Sequence, residues 1–208
     1  MDVARQALDR LRQGNRRFVG GLAARHGARD ADRRRALVSG QKPVAVVVAC
    51  ADSRVPPEIV FDQGLGDLFV VRVAGNVIDP VVLGSVEFAV ESLGTRLIVV
   101  LGHSRCGAVA ATVDVVESGR DADSPHLRAI VERIRPAVDA ARDVAGAVER
   151  AEWIRRAVRR NVQNSAGTLR DDSRVLARAA REDGLLIVAA HYSLDTGEVA
   201  FSGSDAAR

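Results

Sequence analysis

Three short stretches are almost wholly apolar and rich in Val, Ala, Leu and Ile: Val44–Ala49, Leu97–Leu101 and Leu185–Ala190. A fourth, Leu68–Val73, is broken only by Arg72. Runs this short and this continuous predict strands buried on both faces. Between them the period changes to that of a helix. Ala4, Ala7, Leu8, Leu11 and Phe18 mark one face over 2–19, and Val82, Val86, Ala89, Val90 and Leu93 another over 80–93. Helices are also predicted from about 106 to 117, over 126–142, and over 147–181 with interruptions near Gly167 and Asp171-Asp172.

The punctuation between these elements has physical causes. Gly20-Gly21 ends the first helix, and Gly94 is placed to cap the helix before it. Pro56-Pro57 stops the first strand and starts a short helix at 57–62. Ala74-Gly75-Asn76 is a turn, and Asp195-Thr196-Gly197 another, followed by a short edge strand at Val199–Phe201. Residues 22–42 are polar and Arg-rich and read as a loop with a short helix around 30–39, and 119–125 is a polar loop. Strand alternating with helix predicts an α/β fold. It has a mainly parallel four-stranded sheet with an antiparallel edge strand, helices on both faces, and an N-terminal helical arm. The chain reads as a single domain over 1–208, with the arm at 1–42 and the α/β core at 43–208. The arm has too little apolar surface to stand alone, so it packs on the main body or on a second subunit.

Composition narrows the function classes. The net charge is only +3. The densest basic spots, Arg33–Arg35 and Arg155, Arg156, Arg159 and Arg160, lack aromatic partners, so they read as solvated helix faces and no nucleic-acid partner is expected. No apolar stretch approaches the roughly 20 residues of a membrane span. The first residues carry Asp2, Arg5, Asp9 and Arg10 with no apolar core, unlike a signal peptide, and a cytoplasmic location is expected.

The chemistry sits on the two cysteines, Cys50 and Cys106. In a reducing compartment a disulfide is their less favoured use, and metal binding or catalysis the better one. Cys50 ends the first predicted strand and His103 the third, with Cys106 three residues on at the start of a helix. In open α/β sheets such strand ends converge where chemistry collects. Thiolate and imidazole are the ligands zinc prefers, and three of them leave a fourth position open. A helix N-terminus should stabilise the Cys106 thiolate. No further cysteine exists, and His26, His126 and His191 lie outside any ligand-spaced pair, which argues for a catalytic zinc or for a carboxylate as fourth ligand. Asp52 supplies such a carboxylate and Arg54 a partner for it. With Asp52 held by Arg54 the fourth position takes water; with Asp52 on the metal, water is excluded.

Cys50-Ala-Asp-Ser-Arg54 and Gly102-His-Ser-Arg-Cys-Gly107 together resemble the two signature motifs of the β-class carbonic anhydrases. Supporting matches are Phe69-Val-Val-Arg72, Ala74-Gly75-Asn76, Ser85-Val-Glu-Phe-Ala89 and Tyr192-Ser-Leu-Asp-Thr-Gly197, and the resemblance runs from about residue 5 to 203. It implies zinc-dependent reversible hydration of carbon dioxide to bicarbonate and a proton, with one Zn(2+) per subunit on Cys50, His103 and Cys106. Asp52 and Arg54 would be catalytic, and Asp52 a fourth ligand in a closed state. Val47 and Ala49 stand where the group with an inhibitory bicarbonate site carries Trp and Gly, so the chain resembles the open-site group. Gln41, Phe69, Ala74, Phe88 and the Gly107 amide would then contact substrate, with Phe88 replacing a tyrosine common in the family. The resemblance further implies homodimers or homotetramers in which the N-terminal helix crosses to a neighbour and pocket residues are shared. Two other readings compete. One is hydrolysis of carbon disulfide or carbonyl sulfide by the same ligands. The other is a zinc-stabilised binding domain without turnover, against which the presence of both Asp52 and Arg54 weighs.

Overall fold

The computed structural model describes residues 2–23, 31–143 and 149–202. His26, residue 30 of the helix expected around 30–39, and the start of the helix expected from 147 lie outside the described residues. Five strands form one sheet: β1 (Ala45–Cys50), β2 (Leu68–Val73), β3 (Leu97–His103), β4 (Leu186–Tyr192) and β5 (Val199–Ser202). Their order is β2-β1-β3-β4-β5. The first four are parallel, and β5 runs antiparallel on β4. Every residue of β1 and β3 is buried, as their unbroken apolar runs require.

Eight α-helices surround the sheet in the described residues: α1 (Val3–Val19), α2 (Ala31–Ala36), α3 (Pro57–Val60), α4 (Pro80–Ser92), α5 (Gly107–Ser118), α6 (Pro125–Asp143), α7 (Arg150–Asp171) and α8 (Arg174–Glu182). The alternation of side chains along the strands sorts them between two layers. Val47, Val99 and Val188 pack under α1 with Ala4, Leu8 and Leu11. Val46, Val100 and Ile187 pack under α4, α7 and α8 with Val86, Val162 and Leu176. A third cluster joins α5, α6 and α7 around Cys50 and Cys106.

Local chemistry sets the element ends. The Asp2 carboxylate accepts from the Ala4 N–H at 3.1 Å and Asp79 from the Val82 N–H at 2.8 Å, capping α1 and α4. Gly94 follows α4 at φ +70, a conformation that favours glycine.

Three expectations need correcting. Gly167 does not interrupt α7, which continues to Asp171. Glycine costs a helix only about 1 kcal/mol, and Val162, Ala166 and Leu169 are anchored on the sheet on both sides of it. The break comes after Asp171, where Ser173 accepts from the Leu176 N–H and starts α8. Next, β3 and β4 run two residues further than their apolar stretches, because Gly102 pairs with His191 and His103 with Tyr192. Lastly, α1 does not reach away from its own chain. Its apolar stripe is spent on its own sheet, and Asn15 locks it there, donating to the Val60 and Gly197 carbonyls and accepting from the Val199 N–H.

Candidate metal centre

The chain leaves β1 for β2 on one side, while β3 enters on the other. This is a topological switch point, where a crevice opens at the carboxyl ends of the strands. The β1–β3 register ends on Ala49 beside Leu101, so Cys50 and His103 finish at the same crevice. A tight turn through Ser104 and Arg105 (φ 57 at Arg105) brings Cys106 back to it as the cap residue of α5. That turn is tied to β4: the Ser104 N–H donates to the Tyr192 carbonyl at 2.9 Å, and the Leu194 N–H to Ser104 Oγ at 2.9 Å.

One ligand atom from each of Cys50, His103 and Cys106 lies within 4.8 Å of the others, and all three residues are buried. The two sulfurs stand 4.0 Å apart, close to the roughly 3.8 Å that tetrahedral zinc–thiolate bonds impose. His103 Nδ1 sits 3.0 Å from the Ser104 carbonyl, which fixes the ring proton on Nδ1. Nε2 is left deprotonated, buried and without a hydrogen-bond partner. A buried polar atom without a partner is costly, and here it faces two sulfurs. The donor set fits a thiophilic dication.

The electrostatics favour a charged cluster but assign the charge differently from the expectation of a dipole-stabilised Cys106. The hydrogen bond between Cys106 and Cys50, the neighbouring His103 ring and the Asp52 and Gly75 amides together outweigh burial, bringing Cys50 down to about 4. Cys106 is pushed up by its pairing with Cys50 and by burial, against the pull of the Ala108 and Val109 amides. The two thiols therefore hold one proton between them, on Cys106. For His103, burial acts downward, but Cys50, the Ser104 carbonyl and Asp52 outweigh it and the net direction is up.

Asp52 is gripped by Arg54. Its Oδ1 accepts from the Arg54 backbone N–H at 3.0 Å and from Nε at 2.9 Å, and its Oδ2 accepts from Nη2 at 2.7 Å. These bonds, led by the guanidinium, hold the carboxyl well below the usual carboxylate range despite partial burial. Asp52 Oδ2 also lies 3.8 Å from His103 Nε2, so the carboxylate is beside the ligand cluster while turned to the arginine.

The other sequence-derived residues divide into two sets. Ala74 and Gly107 line a cavity of about 1030 Å³ between α5 and α6, whose lining includes none of the cluster residues. Gly107 is the first residue of α5, so its N–H has no partner within the helix. Gln41, Phe69 and Phe88 are not brought to the cluster. Phe69 pairs with Val46, four residues before Cys50, which at about 3.3 Å per residue puts it about 13 Å away along the sheet. Gln41 precedes β1 altogether, at the opposite end of the sheet. Phe88 is exposed, its ring 6.3 Å from that of Phe69. His126 is exposed on α6, and His191 is half-buried in β4.

Three residues to which sequence reasoning gave no role hold the site. Arg72 Nε donates to the Cys50 carbonyl at 3.0 Å and its Nη2 to the Asp52 carbonyl at 2.5 Å. From α7, Asn161 Nδ2 donates to the Gly75 carbonyl at 2.7 Å and Ser165 Oγ to the Asn76 carbonyl at 3.0 Å. For Arg72 the advance signals were a lone arginine inside an apolar strand and its place in the Phe69-Val-Val-Arg72 match; Asn161 and Ser165 carried none.

The family model described as "Carbonic anhydrase" matches residues 45–199. "Carbonic anhydrase 2" of Mycobacterium tuberculosis (strain ATCC 25618 / H37Rv) is 44% identical over 188 residues, 90% of this chain and 87% of that protein. "Carbonic anhydrase" of Mycolicibacterium smegmatis is 53% identical over 128 residues, 62% of this chain and 61% of that one. Among solved structures, the β-carbonic anhydrase CafA of Aspergillus fumigatus superposes with a TM-score of 0.75 at 27% identity, covering 91% of this chain and 88% of its own. With its parallel sheet, its Cys-His-Cys cluster at the switch point and this degree of likeness, the chain belongs to the β-class carbonic anhydrase family.

Proposed function

We propose that the protein holds one zinc ion on Cys50, His103 and Cys106 and catalyses the reversible hydration of carbon dioxide. The observation that carries this is the buried, unpartnered His103 Nε2 facing two sulfurs, with Asp52 3.8 Å away and clamped by Arg54. Zinc in such a site lowers the pKa of a water towards neutrality and so supplies the nucleophile.

The chain's own groups account for the rest. Two thiolates balance the charge of a dication, and Arg54 balances Asp52, so the site carries no net charge and suits a nonpolar substrate. Asp52, kept ionised and fixed by three hydrogen bonds, accepts a proton-bearing O–H and aims the oxygen. The Gly107 N–H, at the positive end of α5, would donate to the oxygen that gains charge. Ala74, which follows β2 in the same crevice, would supply an apolar wall.

Gln41, Phe69 and Phe88 complete a pocket only if a second copy brings them. β2 supports such an assembly. It is an outer strand of the sheet, its residues Phe69 to Val73 are only partly buried, and Phe88 and Val81 are exposed beside it on α4. An apolar edge strand left open is a template for pairing.

The test is the rate of carbon dioxide hydration by purified protein with zinc measured on the same sample. Zinc should be stoichiometric, Cys106→Ser should lose zinc and rate together, and Asp52→Asn should keep zinc and lose most of the rate. Full activity without metal, or a normal rate and zinc content in Cys106→Ser, would overturn the reading.

A further inference from the structure

A second cavity, of about 460 Å³, lies against the turn that joins His103 to Cys106 and shares no lining residue with the cavity described above. Its volume is within the range of roughly 300–1,000 Å³ typical of small-molecule sites. Ala110, Ala151, Ile154 and Val158 make an apolar wall from α5 and α7. The polar groups are Ser104, three arginines, His191 and Asp195.

The charges there do not balance. Arg105 is answered by Asp195 at 2.5 Å, and Arg155 shares Glu152 with Arg156 on its own helix. Arg159 has no acidic partner among the described residues. Its charge is felt within the cavity: burial first, and Arg159 next, hold the imidazole of His191, another lining residue, below its ordinary value. His191 is thus a neutral ring that no described side chain pairs with, set beside one uncompensated guanidinium and an apolar wall.

We infer that this cavity is a binding site for a small carboxylate with a compact apolar body, its carboxylate on Arg159 and His191 and its body against Ile154 and Val158. Inorganic phosphate has no apolar body to lay against Ile154 and Val158, and a neutral apolar molecule would leave Arg159 unanswered. The position gives the site a consequence. Arg105 lies between two of the proposed metal ligands with its backbone in the left-handed region (φ 57), and its carbonyl is 3.5 Å from Arg54 Nη2. An occupant of this cavity therefore lies against the turn that carries His103 and Cys106 and that touches the Asp52 clamp.

The experiment is titration of the full-length, zinc-loaded protein with benzoate, followed by calorimetry and by saturation-transfer NMR, with and without saturating azide to cover the metal. Benzoate should bind one per chain and remain bound in azide. Benzamide should bind at least about tenfold more weakly, as expected when a charge-assisted hydrogen bond is lost. Arg159→Ala should weaken benzoate by about the same factor with zinc content unchanged, and Arg159→Lys should retain most of the affinity. Displacement by azide, undiminished binding to Arg159→Ala, or no binding of benzoate would each overturn the proposal.

Discussion

Arg72 reaches across from β2 to hold the backbone on both sides of Ala51, donating to the Cys50 carbonyl at 3.0 Å and the Asp52 carbonyl at 2.5 Å. One side chain thereby fixes the strand end that offers a metal ligand and the carboxylate beside it. A planar guanidinium makes two such bonds at once, which a lysine ammonium cannot do in the same geometry. Arg72→Lys is therefore expected to keep the charge and lose the alignment. Turnover should fall by about 10- to 100-fold, the range seen when groups that orient metal ligands are removed, with a smaller loss of bound zinc. Hydration kinetics and metal analysis on the same preparation check this; unchanged kcat in Arg72→Lys would show that the backbone needs no such brace.

The role of Arg72 marks the limit of what the chain discloses in one dimension. β1, β3 and β4 were legible because strands buried on both faces must be apolar throughout, and the apolar runs have no other use. The ligand trio was legible because cysteine and histidine at successive strand ends have few structural reasons to be there. Arg72, Asn161 and Ser165 were not, because they act on main-chain carbonyls 20 to 89 positions away, and any residue supplies a carbonyl. The same holds for Gly167: local propensity marks it as a break, and only the packing of α7 on β3 and β4 shows why the helix passes through it. Gln41, Phe69 and Phe88 rested on family likeness alone, and one chain does not bring them to the cluster.

Arg54 decides where the Asp52 carboxylate points. The guanidinium holds Asp52 well below the usual carboxylate range, so the ionised form persists as pH falls through the ordinary carboxylate pKa and is lost only at more acid pH. Protonation of Asp52 therefore does not switch the site near neutrality; competition for its oxygens does. Arg54→Ala should release Asp52, 3.8 Å from His103 Nε2, towards the metal. Zinc should be retained, a crystal structure at pH 7 should show a carboxylate oxygen on the metal, and turnover should fall by at least about tenfold. A normal rate in Arg54→Ala would remove the clamp from the account.

Metal removal should convert the site from a ligand set into a reactive thiol pair. The two sulfurs are 4.0 Å apart, and Cys50, brought down to about 4, is a thiolate at neutral pH beside the protonated Cys106. With a strong chelator in air or dilute hydrogen peroxide, the Cys50 thiolate is oxidised to a sulfenic acid. Cys106 then displaces water from it to close a disulfide. Intact mass should show a loss of two hydrogens, and a reductant with zinc should restore activity. Because the thiolate is the reactive form, the rate should stay high down to about pH 5 and drop below pH 4. Zinc-loaded protein should resist the same treatment. A metal-free protein whose two thiols both remain titratable after such exposure would contradict this.

Phe88 tests whether the site is completed by a second copy. It is 51% exposed on α4, its ring 6.3 Å from that of Phe69 on the outer strand, and Phe69 is about 13 Å from Cys50 within its own chain at a strand rise of about 3.3 Å per residue. A charge at this position touches none of the cluster of its own chain and lies outside the buried core, so folding stability should change by less than about 0.5 kcal/mol. If β2 pairs with β2 of a partner, Phe88→Asp should weaken association and lower turnover together. Light scattering should show a shift towards monomer over a dilution series, and specific activity should fall with dilution in the variant before it does in the parent. A variant that is monomeric and fully active would place the whole pocket within one chain. One that stays assembled with normal turnover would take Phe88 out of the pocket.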